Sequence, residues 1–277
     1  MPLLSTLLFL SAAAESLSCA AIELRDGRVW TTIEVNGVAT EALLDSGAEM
    51  SILDTRFAAA MDAQTSGSAT ARGSGAQTLE ARFLPDTRLS VAGFEIGDAT
   101  IAVIDLSDVA ERLIGGPLPA IAGREVFDAA RLHLDFAAGT VCAVDREAEP
   151  AGHRFELTER AGIMAFPVEI EGTSVLADFD IGNRGALLAM RAFAEAAGLY
   201  DGRPVEAVSG GGLGGAVARD RLVVESVALG PFVHRDVTAD IQPGEPDEAP
   251  ANVGLGLLAG YRITVDYSQR ALWLEPR

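Results

Sequence analysis

The stretch ALLDSGAEMSIL, from Ala42 to Leu53, sets one aspartate between two apolar segments and follows it with a glycine turn. A carboxyl group in such surroundings costs free energy unless another group binds it or the protein uses it. The sequence therefore predicts that Asp45 has a partner elsewhere in the chain. Internal repeats are the first place to look for that partner.

The chain contains a second copy of this stretch. IEVNGVATEALLDSGAEMSIL, from Ile33 to Leu53, aligns without a gap to VEIEGTSVLADFDIGNRGALL, which begins at Val168. In this alignment Asp45 coincides with Asp180, 135 residues later. The repeat thus identifies Asp180 as the candidate partner.

A second pair of segments repeats at nearly the same spacing. GREVFDAARLHLDFAAGTVCAV, from Gly123, aligns without a gap to GLGLLAGYRITVDYSQRALWLE, from Gly254. Two blocks in the same order at similar spacing indicate a duplicated unit. We expect one lobe at residues 21–146, a second at residues 147–277, and a polar connection from Asp145 to Arg154.

Both halves have the pattern of β structure. Apolar residues alternate along VWTTIEVNGVATEALLD and break at Asn36 and Gly37, which is typical of a tight hairpin. Glu171 and Gly172 form the equivalent break in the second half. Frequent turns and few helical segments predict a closed or sandwiched antiparallel β architecture.

Three segments of the first half resemble the motifs of a known family. LLDSGA (Leu43–Ala48) matches an apolar-apolar-Asp-Ser/Thr-Gly-Ala motif, AIAGRE (Ala120–Glu125) an apolar-apolar-Gly segment, and LHLDF (Leu132–Phe136) the strand after it. On these motifs the chain resembles the aspartic peptidases, specifically a bacterial retropepsin-like protein with two units fused in tandem. The resemblance implies a mainly β, bilobal acid-protease-like fold, with two pseudo-twofold-related closed β-barrel lobes and few short helices.

The resemblance also implies a reaction and its residues. Asp45 and Asp180 would form the dyad of an aspartic endopeptidase, which hydrolyses peptides or proteins with an activated water. Ser46, Gly47 and Gly182 would support the dyad. Two carboxyls about 3 Å apart cannot both ionise cheaply, so the pair shares one proton. One member then acts as a base and the other as an acid.

The second motif departs from the family pattern at Ile181, which replaces the Ser or Thr whose hydroxyl bonds across to the opposite loop. Asn183 could instead donate a side-chain hydrogen bond to Asp180 and favour its ionised form. Asp180 would then be the base and Asp45 the proton carrier. Asp178 shares a strand face with Asp180, but the alignment does not place it on Asp45, so we expect a solvated or hydrogen-bonded neighbour.

Two glycine-rich stretches are candidate lids. RGSGAQ contains Gly73, Ser74 and Gly75, and GGGLGGA (Gly210–Ala216) lies at a comparable distance after the second aspartate. Hairpins with glycine tips would let the backbone approach a peptide and exclude water. The alternative is that both stretches are flexible loops.

The composition disfavours several classes of partner. The net charge of -19, the isoelectric point near 4.4 and the lack of a basic run argue against nucleic acid and anionic membrane surfaces. The three histidines have no metal-ligand spacing, and no cofactor motif occurs. We therefore expect no metal and no cofactor. Because both aspartates lie in one chain, we expect a monomer.

The N-terminal segment, residues 1–20, fits a secretory signal peptide, with an apolar core followed by small residues. The segment around Cys19 also resembles a bacterial lipoprotein signal, in which the acylated sulfur would anchor the protein to a membrane. A buried N-terminal helix is the other alternative. Cleavage after Ala20 would leave Cys142 as a lone, buried core residue, so the sequence predicts no disulfide. The expected location is periplasmic or secreted.

Two alternatives to a single-chain enzyme stay open at this point. The same bilobal fold could be an inactive peptide- or protein-binding module, because Ile181 removes one cross-brace. Each half could also pair in trans, although the duplication makes a second chain unnecessary. The separation of the Asp45 and Asp180 carboxyls distinguishes the enzyme from the binding module.

Overall fold

A computed structural model describes residues 16–244 and 249–277. The strands of the first half are β1 (Ser16–Arg25), β2 (Arg28–Val35), β3 (Val38–Leu44), β4 (Ile52–Asp54), β5 (Ser66–Arg72), β6 (Thr78–Val91), β7 (Phe94–Ile104), β8 (Ala120–Ala122), β9 (Arg131–Asp135) and β10 (Thr140–Val144). The strands of the second half are β11 (His153–Glu156), β12 (Thr158–Arg160), β13 (Ile163–Ile170), β14 (Thr173–Asp180), β15 (Leu187–Met190), β16 (Glu206–Gly210), β17 (Val217–Leu229), β18 (Phe232–Gln242), β19 (Ala251–Gly254), β20 (Tyr261–Asp266) and β21 (Ala271–Pro276).

The helices are short. They are α1 (Thr55–Ala60), α2 (Ser107–Val109), α3 (Arg124–Ala129), α4 (Arg191–Ala196) and α5 (Leu255–Leu258), with a π-helical turn, Ala110–Ile114, after α2. The predicted mainly β fold with few short helices is confirmed.

Each half forms its own series of paired strands. In the first half β2, β3, β8, β4, β7 and β6 pair in that order, and β2 also pairs with β6. In the second half β13, β14, β19, β15, β18 and β17 pair in that order, and β13 also pairs with β17. Equivalent strands occupy equivalent places in the two series. The bilobal architecture inferred from the repeat is therefore confirmed.

Left-handed turns form the two predicted hairpins. Asn36 and Gly37, between β2 and β3, have φ angles of 50° and 82°. Glu171 and Gly172, between β13 and β14, have φ angles of 48° and 80°. Two consecutive positive φ angles are those of a type I′ turn, whose twist matches that of the flanking strands. These turns set the register in which β3 ends just before Asp45 and β14 ends at its counterpart.

The first strand of each hairpin buries the same positions. In β2, Ile33 and Val35 point into the core, and in β13 Val168 and Ile170 do so at the matching places. This alternation follows from the period of two along a strand. Each such side chain contributes roughly 1.5–3 kcal/mol on burial. The repeat is thus preserved in packing as well as in sequence.

Six strands at one end of a 13-stranded sheet join the two halves, in the order β11, β21, β20, β9, β10 and β1, and β1 continues the sheet to β2. Strand β9 of the first half pairs with β20 of the second, with Leu134 opposite Ile263. Arg131, at the start of β9, forms a buried ion pair with Asp266, at the end of β20, at 3.1 Å. The sheet can be completed only by strands from both halves.

The structure corrects the prediction that the chain has no disulfide. Cys19 on β1 and Cys142 on β10 lie opposite each other and are bonded. The prediction treated Cys142 as a lone cysteine after cleavage at Ala20, whereas β1 begins at Ser16 and carries Cys19 into the sheet. A sulfur that is held in a disulfide cannot also be acylated. Residues 1–15 of the predicted signal segment lie outside the described residues.

Within residues 16–244 and 249–277, no helix is both long enough and apolar enough to cross a membrane.

Candidate active site

Asp45 lies in the turn directly after β3. Its backbone N–H donates to the carbonyl oxygen of Ala122 on β8, at 2.9 Å. The N–H of Gly47 donates to its carboxyl oxygen Oδ1, at 2.8 Å. The neighbouring strand therefore holds the backbone of Asp45, and the glycine turn holds its side chain.

Asp180 ends β14, the equivalent strand of the second half. Its place in the sheet is opposite Gly254 of β19. The N–H groups of Gly182 and Asn183 both donate to its carboxyl oxygen Oδ1, at 2.9 and 3.0 Å. The two predicted aspartates thus occupy equivalent turns at the ends of equivalent strands.

The structure brings the two carboxyl groups together. A Cβ atom built on Gly47 would lie 2.7 Å from Cγ of Asp180, and one built on Gly182 would overlap the carboxyl group of Asp45. Each glycine leaves the space that the opposite aspartate fills. The side chains of Asp45 and Asp180 are close enough to hydrogen-bond each other.

A single hydroxyl braces the two turns. Oγ of Ser46 donates to the carbonyl oxygen of Phe179 at 2.8 Å and accepts from the N–H of Ile181 at 3.0 Å. Ile181 occupies the equivalent place in the second turn, where it is fully buried. Its side chain has no hydroxyl to return the bond, so the cross-brace comes from one side alone.

The structure corrects the role predicted for the side chain of Asn183. Its amide nitrogen donates to Oδ1 of Asn252, at 2.8 Å, and not to Asp180. The amide of Asn252 in turn donates to Oδ2 of Asp180, at 2.7 Å. Asn183 reaches Asp180 directly through its backbone N–H alone. Its side chain orients the amide that does contact the carboxylate.

Sequence reasoning missed Asn252, although the repeat contains a signal for it. It lies two residues before Gly254, the position that Ile121 holds before Gly123 in the first half. A polar residue in an otherwise apolar β segment marks a position with a specific hydrogen-bonding task. The second half therefore lacks the hydroxyl of the motif but has an amide that the first half lacks.

The surroundings of Asp45 favour its protonated form. Part of the residue remains accessible, but burial raises the pKa of the Asp45 carboxyl well above its ordinary value of 3.8. The charge of Asp180 and a hydrogen bond with that side chain raise this pKa further, whereas the N–H of Gly47 lowers it. A buried carboxyl beside another carboxyl holds its proton because two adjacent negative charges repel.

We expect Asp45→Asn to stabilise the protein increasingly as the pH rises. The raised pKa of Asp45 means that its protonated form contributes stability below the unfolded-state pKa, and this contribution is lost as the pH rises through the folded-state pKa. Asparagine stays neutral at every pH. Thermal unfolding of both proteins from pH about 4 to about 8 should give a growing difference in Tm in favour of the variant. A difference that does not change with pH would contradict the assignment.

We expect Asn252→Leu to lower kcat/KM by about tenfold to a hundredfold, the usual worth of a hydrogen bond to a charged group. Without the amide donor, the carboxyl group of Asp180 loses the hydrogen bond that holds its Oδ2. Asn252→Gln keeps an amide donor and should retain more of the rate than Asn252→Leu, with both variants unfolding at the wild-type temperature. Equal losses of rate in the two variants would contradict this role of the amide.

The two candidate lids contact each other. The tip of the β5–β6 hairpin contains Gly73, Ser74 and Gly75, and the N–H of Gly75 donates to the carbonyl oxygen of Leu213, at 2.7 Å. Leu213 belongs to the tip between β16 and β17. It also packs against an apolar cluster that includes Leu43, two residues before the first aspartate. The two tips thus close on the side of the molecule where the aspartates meet.

The second lid is also bound to the first lobe by a charged side chain. Arg112, in the π-helical turn, donates to the carbonyl oxygens of Gly211 at 3.4 Å and Gly212 at 2.8 Å. Asp108 pairs with the same guanidinium at 2.9 Å. The second lid is therefore held in two ways: by a backbone hydrogen bond from the first lid and by the side chain of Arg112 from the opposite lobe.

Asp178 is a half-buried neighbour of the dyad on β14, opposite Asn252 of β19. Among the described residues, no group of three or more His, Cys, Asp or Glu side chains has the geometry of a metal site. The site is built from carboxyls, backbone N–H groups, one hydroxyl and two amides.

Comparison with known proteins identifies the family of the chain. A comparison with curated protein sequences gave no match. A sequence model of the family described as Aspartyl protease matches twice, at residues 31–118 and at residues 166–258. The two matches fall one in each lobe, and each includes one of the paired aspartates. Together they span more than half of the chain, which belongs to the aspartyl protease family.

Proposed function

We propose that the protein is an aspartic endopeptidase in which Asp45 carries the shared proton and Asp180 is the base. The observation that supports this most is the unequal hydrogen bonding of the two carboxyls. The carboxyl group of Asp180 accepts from the N–H groups of Gly182 and Asn183 and from the amide of Asn252, whereas that of Asp45 accepts, among the described residues, from the N–H of Gly47 alone. Donors stabilise a carboxylate, so the negative charge belongs at Asp180.

The reaction follows from this asymmetry. Asp180 takes a proton from a water molecule as the water oxygen attacks the carbonyl carbon of the peptide bond, and Asp45 gives its proton to the carbonyl oxygen. The tetrahedral intermediate then breaks at its C–N bond. Asp180 gives the nitrogen the proton that it took from the water, and Asp45 takes back a proton from a hydroxyl of the intermediate, so that the products are an amine and a carboxylic acid. No covalent bond to the enzyme forms.

The lids suit a peptide or protein substrate. Their glycine-rich tips present backbone donors and acceptors, which can pair with an extended peptide in the manner of an added strand. Opening of the lids must break the hydrogen bond from the N–H of Gly75 to the carbonyl oxygen of Leu213. It must also break the hydrogen bonds that Arg112 donates to the second lid. One chain supplies both aspartates and both lids, so we propose that the enzyme acts as a monomer.

The proposal can be tested by incubating the purified protein with a mixed peptide library from acidic to neutral pH. Wild-type protein should cleave internal bonds. Asp45→Asn and Asp180→Asn should each lose about 10²–10⁴-fold in rate, the usual worth of a positioned acid or base. The two variants should differ in pH dependence, because the pKa of Asp45 is raised. Cleavage that survives both substitutions would overturn the proposal.

Ile181 supports one competing function, an inactive peptide-binding module. The one-sided brace through Ser46 would then leave the dyad too loose for catalysis. This protein would bind library peptides without cleaving them at any pH. Binding measured by fluorescence polarisation beside the cleavage assay therefore decides between the two functions.

We further propose a periplasmic or secreted location. The disulfide between Cys19 and Cys142 supports this, since such bonds persist in oxidising compartments. Trapping free thiols with maleimide in intact cells, followed by mass spectrometry, should recover these cysteines as an unmodified, bonded pair. Recovery of alkylated thiols would contradict the proposed location, and a lipid on Cys19 would appear as a mass increase.

A further inference from the structure

A cavity of about 400 Å³ lies in the first lobe, beside the start of β2. Arg28 and Trp30 of β2 form one side, and Pro117 and Pro119 form part of another. The walls thus combine a guanidinium group with flat apolar surfaces. Such a combination is typical of sites for small organic groups that carry charge at one end.

Arg28 is an unusual group in this cavity because it is buried without a carboxylate. Its residue is only 7% exposed. Its guanidinium donates a long hydrogen bond, 3.4 Å, to the backbone carbonyl oxygen of Asp26. Across the described parts of the chain, no carboxylate forms an ion pair with it. Buried charges in proteins are normally paired, so an unpaired one suggests that a ligand supplies the partner.

A second arginine, from the other lobe, adds positive charge at the same place. A Cβ atom on Gly27, next to Arg28, would lie 3.3 Å from Cβ of Arg184. Burial lowers the pKa of Arg28, and the charge of Arg184 lowers it further, whereas Asp26 and Asp45 raise it. The exposed Arg184 of the second lobe thus adds positive charge near Arg28, in a chain whose net charge is -19.

The other arginine of the cavity already has its partners. Arg25 donates to Glu41 at 3.3 Å and lies over the ring of Trp30, 4.2 Å from the ring centroid. Glu41 is thereby occupied as well. Asp26, exposed in the turn between β1 and β2, is the acidic neighbour that an incoming anion must compete with. Among the described residues, no carboxylate lies within ion-pair distance of Arg28, although Asp26 and Asp45 are near enough for their charges to act on it.

We propose that this cavity binds a carboxylate of the peptide substrate through Arg28, with Arg184 strengthening the attraction. The inference rests on the proposed function, because it takes the ligand to be a peptide. The guanidinium fork matches a carboxylate in two parallel hydrogen bonds. Trp30 of β2 lies opposite Leu43 of β3, and Arg28 and Asp45 lie two residues beyond this pair on the two segments, so the bound carboxylate belongs to a residue near the cleaved bond. It is either an acidic side chain or the C-terminus of the peptide.

Peptide binding can test this without any cleavage. The probes are fluorescein-labelled octapeptides that carry one Glu or one Gln at each position in turn, with a free or an amidated C-terminus, added to Asp180→Asn protein. We expect that at one position the Glu probe binds about tenfold or more tightly than the Gln probe, or that the probe with a free C-terminus binds tighter than its amidated form by this factor. Amidation should abolish the preference if the C-terminal carboxylate is the ligand and leave it intact if a side chain is.

Variants then assign the preference to Arg28. Arg28→Gln should lose it, Arg28→Lys should keep part of it, and Asp26→Asn should increase it, because a competing negative charge is removed. Arg184→Gln should weaken it about two- to fivefold, as expected for an exposed charge. Arg56→Gln, an exposed arginine on α1, makes the same change in net charge and should have no effect.

The outcomes separate the cavity from the catalytic proposal. Equal binding of Glu and Gln probes at every position, with no effect of amidation, would overturn the inference. A preference that Arg28→Gln leaves intact would also overturn it, provided that this variant unfolds at the wild-type temperature. If Arg28→Gln does not fold, Arg184→Gln and Asp26→Asn must still change the preference in opposite directions. Cleavage by wild-type protein without a preference for acidic probes would support the protease proposal and overturn the role of the cavity. Preferential binding of acidic probes without cleavage would support the role of the cavity and overturn the protease proposal.

Discussion

Gly182→Ala is expected to lower peptide cleavage by about 10³-fold or more while both aspartates remain in place. The added methyl group would overlap the carboxyl group of Asp45. The turn cannot move away freely, because the hydroxyl of Ser46 binds the backbone on both sides of Asp180, at Phe179 and Ile181. The carboxyls must then separate, and a dyad that cannot share a proton loses its acid and its base together.

The reciprocal change should behave in the same way. Gly47→Ala places its methyl group 2.7 Å from Cγ of Asp180. Neither glycine has a positive φ angle, so alanine is not excluded by backbone conformation. Gly97→Ala is a matched control, since nothing lies within 4 Å of its added Cβ. Near-normal cleavage by Gly47→Ala and Gly182→Ala, beside an unaffected control, would show that the close approach of the carboxyls is not needed.

Asp266→Asn is expected to lower the free energy of unfolding by about 3–5 kcal/mol, the usual cost of removing one partner from a buried pair. Asp266 is fully buried and accepts from Arg131 and Arg146, both at 3.1 Å. Burial alone would raise the pKa of Asp266, but the Ser268 hydroxyl and the charge of Arg146 hold it below its ordinary value of 3.8. Asparagine would leave the buried guanidinium of Arg131 without its counter-charge.

The repeat supplies a control for this prediction. Asp135 is the equivalent of Asp266 in the first half, and it pairs with the half-exposed Arg262 at 3.1 Å. Asp135→Asn should therefore cost about 1 kcal/mol or less. Chemical denaturation measures both variants. The contribution of Asp266 is also lost as the pH falls through its lowered pKa, so the difference between wild type and Asp266→Asn should shrink in acid. Equal losses for the two variants would contradict the argument.

Much of the fold could be predicted because it depends on local patterns. The hairpins at Asn36–Gly37 and Glu171–Gly172 need only two residues that tolerate positive φ between alternating apolar runs. The pairing of Asp45 with Asp180 was predictable for another reason. Two equivalent turns related by pseudo-twofold symmetry meet at the axis, so the repeat alone brings the carboxyls together.

Other features depend on which elements meet after folding, and local patterns do not encode this. Asn252 contacts Asp180 because β19 pairs with β14, a neighbour relation that joins residues 72 apart in the chain. The disulfide was missed because Cys19 was assigned to a signal segment that was predicted to be removed, whereas Cys19 lies in β1. Arg28 drew no attention because a single arginine at the start of a strand is usually solvated. That no carboxylate of the described residues forms an ion pair with it is visible only in the folded structure.

The sheet that joins the halves also limits when the fold can be completed during synthesis. Strand β9 has β10 on one side, but its other neighbour, β20, belongs to the second half, and β11 pairs with β21. The interlobe sheet can therefore assemble only after β20 and β21 have emerged from the ribosome. Under the proposed function, peptide cleavage would begin only after both halves have been synthesised and have joined.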